Sequence, residues 1–127
     1  MSSICFATTR LRTGIDIIYN HDVLDLVDAP PGVLLSEGEW RELRAYAEPL
    51  EHLAGKFACK EAVLKAMGCG LGEVELSDIE ISKDKLGKPF VALHGSAVEY
   101  WRRTGCAQLS VSISHHRDYS VAVAVAA

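Results

Sequence analysis

From Leu109 to Ala126 the chain alternates with little interruption. Leu109, Val111 and Ile113 are spaced by Ser110, Ser112 and Ser114. After His115-His116-Arg117-Asp118, Tyr119, Val121, Val123 and Val125 are spaced by Ser120, Ala122, Ala124 and Ala126. A period of two predicts a β-hairpin with one large-residue face and one small-residue face. A face of Ser and Ala lets another layer approach closely. Thr13 to Tyr19 is β-branched and mostly apolar, which predicts a buried strand interrupted by one acid, Asp16. Val74 to Ser82 alternates and predicts a strand with a bulge near Asp78. Lys83 to Lys88 then predicts a turn, and Pro89 to Leu93 a return strand.

Helical signals separate these strands. Ser36-Glu37-Gly38-Glu39 has the form of a capping box and predicts a helix through about Tyr46, with Pro49 stopping it. A second helix is predicted from near Glu51 to Gly68, where glycines 68, 70 and 72 supply the stop. Leu53, Phe57, Leu64 and Met67 share one stripe of that helix at about 100° per residue. Ser96 and Glu99 form a second capping-box pattern, opening a helix through Arg103 that Gly105 closes. Residues 20–35 read as a short helix or turn and a loop, and residues 1–12 as a frayed or variable segment. Strands joined mainly by hairpins, with helices in separate blocks, predict an α+β fold with an antiparallel sheet packed against helices.

Composition narrows this picture. The length of 127 residues suits a single domain spanning 1–127. A net charge of −4 argues against nucleic acid as a partner. No apolar run is long enough to span a membrane, and the N-terminus lacks an apolar signal core. The four cysteines stand apart without a C-x-x-C pair. They read as reduced thiols of a cytoplasmic protein, with disulfides as the alternative.

The candidate chemistry lies in Phe57-Ala58-Cys59-Lys60-Glu61-Ala62-Val63-Leu64-Lys65. Glu61 sits at the edge of the apolar stripe, and Lys65 follows one turn later. A solvated i,i+4 ion pair would account for both, contributing about 0.3–0.5 kcal/mol. Asp16, set among isoleucines, needs a partner: a cation, a helix N-terminus or a base. Asp16 and Glu61 together would suit Mg²⁺, which keeps waters and borrows phosphate oxygens. His115 and His116 fall at a hairpin turn, where solvated polar residues are ordinary, and no zinc spacing accompanies them. The glycines at 68, 70 and 72 follow a helix rather than open one, so they read as helix termination and not as a dinucleotide fingerprint.

Four motifs occur in order: Gly14-Ile15-Asp16; Phe57-Ala58-x-Lys60-Glu61-Ala62-x-x-Lys65-Ala66; the turn from Asp84 to Pro89 with Gly87-Lys88-Pro89; and Ser112-Ile113-Ser114-His115. From about residue 14 to 125 the chain resembles the 4′-phosphopantetheinyl transferase superfamily, of the holo-acyl-carrier-protein synthase type. The resemblance implies that superfamily's fold and its reaction. A carrier-protein serine attacks the β-phosphate of coenzyme A, phosphopantetheine is transferred, and 3′,5′-ADP leaves. It implies Asp16 and Glu61 as Mg²⁺ ligands, and Lys56, Lys60, Lys65, Gly70 and His115 as coenzyme contacts. Glu61 and Lys65 become the expected catalytic residues. Lys65 would neutralise phosphate charge or protonate the leaving group, and Glu61 would act on the serine through a bound water or after a ligand shift. Homotrimers with coenzyme pockets between subunits are also implied, as is a role in fatty-acid or polyketide-type biosynthesis. A non-catalytic coenzyme A-binding module is the alternative.

The chain departs from the resemblance in two places. Arginines expected just after the strand-borne Asp to dock an acidic carrier are replaced by Tyr19-Asn20-His21-Asp22-Val23-Leu24-Asp25. Basic residues before the second helix give way to Ala47-Glu48-Pro49. Like charges at an interface cost affinity, so the carrier is expected to be less acidic or to dock elsewhere, for example at Arg41 and Arg44.

Overall fold

The structure is a computed structural model that describes residues 2–6, 10–70 and 72–127. Its elements run β1 (Arg12–Tyr19), a 3-10 turn (Asn20–Leu26), α1 (Glu37–Arg44), α2 (Leu50–Met67), a short 3-10 turn (Leu76–Asp78), β2 (Ile79–Lys83), β3 (Pro89–Leu93), α3 (Gly95–Thr104), β4 (Leu109–His116) and β5 (Tyr119–Ala126). This is the expected α+β arrangement. β1, β5 and β4 form an antiparallel sheet in that order, and β2 pairs with β3 in a separate hairpin. The expected frayed segment falls partly on residues 1 and 7–9, which lie outside the described residues. Residues 2–6 are exposed and irregular.

Register decides what faces what. Ile15, Ile17 and Tyr19 pair with Val123, Val121 and Tyr119, while Gly14, Asp16 and Ile18 pair with Ala124, Ala122 and Ser120. The Ser and Ala face of β5 lies buried against α2, as a small-residue face allows. β1 was expected to be wholly buried, but Ile15 is 63% and Ile17 67% exposed. β1 is an edge strand whose Ile15 and Ile17 point away from α2, so alternation places Asp16 and Ile18 on the covered side.

α2 is the hub of the molecule. The stripe expected on it is replaced by burial on nearly every side. Leu53 and Ala54 join the cluster around Leu43 and Val23, while Ala58 through Met67 join the cluster against the sheet. A helix shared between two layers needs small or apolar residues all round. The closest approach is at Gly14, where an added Cβ would meet the Ala62 carbonyl oxygen at 1.9 Å. β1 therefore lies directly on the α2 backbone, which only a glycine permits.

Helix ends follow local chemistry with two exceptions. The first capping box forms, with Ser36 Oγ accepting from Glu39 N and Glu39 accepting from Ser36 N. Gly68 ends α2 at φ 75°. The second box does not form. Asp78 takes the Ser96 hydroxyl at 2.8 Å and the Ser96 amide at 3.0 Å, and Glu99 turns instead toward Arg103. Pro49 stands at the entry of α2 rather than closing α1, which already ends at Arg44. The alternation from Val74 yields a strand only from Ile79, because Leu76–Asp78 coils into a 3-10 turn.

Candidate active site

The structure brings Lys65 and Asp16 into contact and sets Glu61 where both charges act on it. β1 carries Asp16 over α2, and Lys65 Nζ donates to Asp16 Oδ1 at 3.1 Å and to the Ile15 carbonyl at 2.9 Å. Glu61, one turn before Lys65, shares this corner but does not form the solvated ion pair that i,i+4 spacing suggested. Its Oε1 is buried without a hydrogen-bond partner. Burial first, and the Asp16 charge second, push the Glu61 carboxyl above its ordinary range, and Lys65 only partly offsets them. Two carboxylates held together, one with an unsatisfied oxygen, are a donor set suited to a hard divalent cation that brings waters and phosphate oxygens. Among the described residues no group of three or more His, Cys, Asp or Glu could hold a metal alone. Two carboxylates that rely on a substrate's oxygens are consistent with that.

A second group lies further toward the start of α2. Lys56 and His115 line a cavity of about 160 Å³ with His52, Gly55, Lys83 and Gly87. The His115 ring lies over Gly55, where an added Cβ would come within 2.8 Å of Cε1. Lys56 is nearly buried, donating to the Ile81 carbonyl at 2.5 Å and sitting 3.5 Å from Glu42. Burial, and Lys83 after it, lower the His52 pKa. The cavity thus presents Lys83, His52 and His115, with Lys56 held at its wall between the Ile81 carbonyl and the Glu42 carboxylate, which also lines it. Roughly 8 Å of helix axis separates Lys56 from Glu61, by the rise of 1.5 Å per residue.

Lys60 does not join either group, and its expected coenzyme contact is corrected. Its side chain is fully buried. Its ammonium donates to Glu39 Oε1 at 2.7 Å and to the carbonyls of Leu34 at 2.9 Å and Leu76 at 2.8 Å. Three acceptors satisfy a lysine completely, leaving no donor for a phosphate. Gly70 lies in the loop beyond α2, outside that cavity, and its amide meets Glu73 at 3.4 Å. The two alternative docking arginines are also engaged. Arg41 pairs with Glu37, and Arg44 donates to the Val27 carbonyl at 3.1 Å while lying over Trp40.

Sequence reasoning missed four contributors. Glu39 was read only as a cap, yet it neutralises Lys60. Gly55 carried a readable signal, since a glycine inside a helix often marks a close approach. Ser120 and Asn20 gave none, because their link spans a hundred positions. Ser120 Oγ lies 2.7 Å from His115 Nδ1 and donates to Asn20 Oδ1 at 2.7 Å. The cysteines are free, and burial pushes the Cys59 thiol up to about 12, which makes it inert. No helix among the described residues is long and apolar enough to cross a membrane.

Known proteins resemble this chain in sequence and in fold. Residues 12–124 match the profile of the 4′-phosphopantetheinyl transferase superfamily. The holo-[acyl-carrier-protein] synthase of Ruminiclostridium cellulolyticum is 50% identical over 92 residues, covering 72% of this chain and 68% of that protein. That of Moorella thermoacetica is 38% identical over 118 residues, covering 91% and 92%. Among solved structures, holo-[acyl-carrier-protein] synthase from Neisseria meningitidis superposes with a TM-score of 0.82 at 31% identity, covering 91% of this chain and 97% of that one. The Helicobacter pylori enzyme in complex with coenzyme A gives 0.76 at 31%, covering 91% and 99%.

Proposed function

This chain belongs to the 4′-phosphopantetheinyl transferase superfamily, and we propose that it works as a holo-acyl-carrier-protein synthase. It transfers the 4′-phosphopantetheine of coenzyme A to a serine of an acyl carrier protein and releases 3′,5′-ADP. The observation that carries this reading is the corner where Gly14 lets β1 rest on α2. There Asp16, Lys65 and the unsatisfied oxygen of Glu61 come together.

Phosphoryl transfer asks a protein mainly for positioning and charge neutralisation. In our reading Asp16 and Glu61 hold Mg²⁺, which when bound would neutralise phosphate charge at that corner. Lys65, about half exposed, exchanges its Asp16 contact for a phosphate oxygen and meets the charge that grows on the departing group. Lys56 and His115 take the anionic end of the coenzyme in their cavity. The domain is read as spanning 1–127, in a cytoplasmic enzyme of fatty-acid or polyketide-type biosynthesis. Homotrimer assembly is proposed through the outer sheet face, where Ile15, Ile17, Tyr19, Tyr119, Val123 and Val125 are exposed. The small face of β5, first considered for close packing, is already occupied by α2.

The test is carrier mass after incubation with coenzyme A and Mg²⁺. A gain of one phosphopantetheine is expected, lost in Asp16→Ala and Glu61→Ala while circular dichroism is retained. Coenzyme binding by calorimetry without a mass gain on any carrier would leave a non-catalytic binding module instead. Sedimentation at enzyme concentration checks the trimer.

A further inference from the structure

We infer that Asn20 and Ser120 are positioning residues for the coenzyme site, holding His115 so that Nε2 faces the coenzyme anion. Resting on the role given to His115 above, this adds two residues that no motif singles out.

Direction follows from counting protons. A serine hydroxyl has one proton to give. Ser120 gives it to Asn20 Oδ1 at 2.7 Å, so toward His115 Nδ1, also at 2.7 Å, it presents only a lone pair. Nδ1 therefore carries a proton in neutral His115, and Nε2 is bare. The reverse arrangement would aim the hydroxyl at Nδ1 and strip Asn20 Oδ1 of this donor. Ser120 is fully buried and Asn20 is 6% exposed, so water does not readily replace the bond. An unsatisfied buried acceptor costs about 1–3 kcal/mol, so with Asn20 Oδ1 turned toward Ser120 the direction is set, and Asn20→Asp, which has no amide to turn, tests it.

The frame around the pair is rigid. Asn20 N donates to the Asp118 carbonyl at 2.7 Å, tying the end of β1 to the β4–β5 turn. Ser120 pairs with both Ile18 and His115 in the sheet. Gly55 leaves room for the ring, and Glu51 lies 3.6 Å from Nδ1. A fully ionised phosphate has no proton to offer a bare nitrogen, so His115 meets it as an imidazolium, donating from Nε2. With Nδ1–H already placed on Ser120, that protonation disturbs no buried bond. With the opposite tautomer the new proton would arrive at Nδ1, and Ser120 and Asn20 would have to rearrange inside the protein.

The experiment combines ring nitrogen NMR of selectively labelled histidine with coenzyme A kinetics. In the coenzyme-free protein the His115 proton is expected on Nδ1. Ser120→Ala and Asn20→Leu should move it toward Nε2, whereas Asn20→Asp, which keeps the acceptor, should hold it on Nδ1. The KM for coenzyme A should rise about tenfold in Ser120→Ala and Asn20→Leu, the loss of roughly one hydrogen bond. It should change little in Asn20→Asp, and kcat should move less than KM in all three. A wild-type ring protonated on Nε2 overturns the inference. So does a His115→Ala variant with raised KM beside Ser120→Ala and Asn20→Leu variants without it. If His115→Ala itself leaves KM unchanged, the role assigned to His115 falls and the inference falls with it.

Discussion

Glu39 and Glu61 are both drawn into the molecule, and their surroundings differ. Glu39 is fully answered. Oε1 accepts from Lys60 and from the Ser36 amide, and Oε2 accepts from the Ile81 amide at 3.1 Å. Glu61 has one oxygen that nothing answers, a second carboxylate beside it and a raised pKa. Burial alone therefore does not mark a functional carboxylate. A satisfied one is framework, whereas an unsatisfied one beside a like charge is destabilised unless something arrives to bind it. The lysines divide in the same way. Lys60 is spent on the framework, and Lys65 stays half exposed beside Asp16.

The strongest way to break this contrast is to remove the partner of Glu39. Lys60→Met leaves Glu39 buried with only Lys56, 3.8 Å from Oε2, to offset its charge, which costs about 3–5 kcal/mol. For a chain of this size that is a fall in Tm of very roughly 10–20 °C in thermal unfolding. Burial by itself lowers the Lys60 pKa, so the Glu39 charge is what keeps the ammonium in place. A drop of only a degree or two would put Lys60 and Glu39 outside the framework after all.

Glu61→Gln should do the reverse. The amide keeps the shape and loses the ion that burial and Asp16 disfavour, so the metal-free variant should be as stable as the parent or somewhat more so. Transfer should fall about 100-fold or more, the usual scale for losing a group that handles transition-state charge. With Mg²⁺ held as proposed, its addition should raise the Tm of the parent and leave that of Glu61→Gln unchanged. A Glu61→Gln variant that is less stable and still active would make Glu61 another Glu39.

How legible this was in the sequence depended on distance along the chain. The α2 boundaries, the first capping box and the β4–β5 hairpin rest on neighbours within a few residues, and the structure matches them. The Asp16–Glu61–Lys65 centre emerged because Gly14-Ile15-Asp16 and the Lys-Glu helix each carry a local motif. Alternation in β1 could not say which face was covered. That depended on Gly14 meeting Ala62, 48 positions away by the numbering, a contact no period encodes. A helical wheel sets Lys60 and Lys65 about 140° apart but cannot say which of them is covered; Glu39 and the carbonyls of Leu34 and Leu76 decide it for Lys60. The failed box at Ser96 shows the same limit, since Asp78 offered a better acceptor from another element.

A smaller effect probes the framework from its rim. Ser36 Oγ accepts from Glu39 N and donates to Glu80 Oε2 at 2.7 Å. Ser36→Ala should cost about 1 kcal/mol as a lost cap. It also removes the bond that most lowers the Glu80 pKa. Denaturant unfolding should show the midpoint shifted and the slope unchanged. A loss as large as that of Lys60→Met would mean that Glu39 depends on its cap rather than on its cation.

The finest distinction is a slope against pH in metal-free protein. The Glu61 carboxyl is raised above its ordinary value of 4.5, so the folded chain holds that proton more tightly than the unfolded chain does. Its contribution to stability is present in full below 4.5 and is lost as pH rises through the folded value. Stability measured by urea unfolding should therefore carry a declining component above that point, which Glu61→Gln removes. The sign reverses for cation binding. Mg²⁺ held at Glu61 as proposed would compete with the same proton, so its stabilising effect should grow over the window in which the metal-free protein weakens. Coincidence of the two windows would assign both effects to one oxygen pair. If the declining component survives in Glu61→Gln, the destabilised charge lies elsewhere and the contrast with Glu39 loses its physical basis.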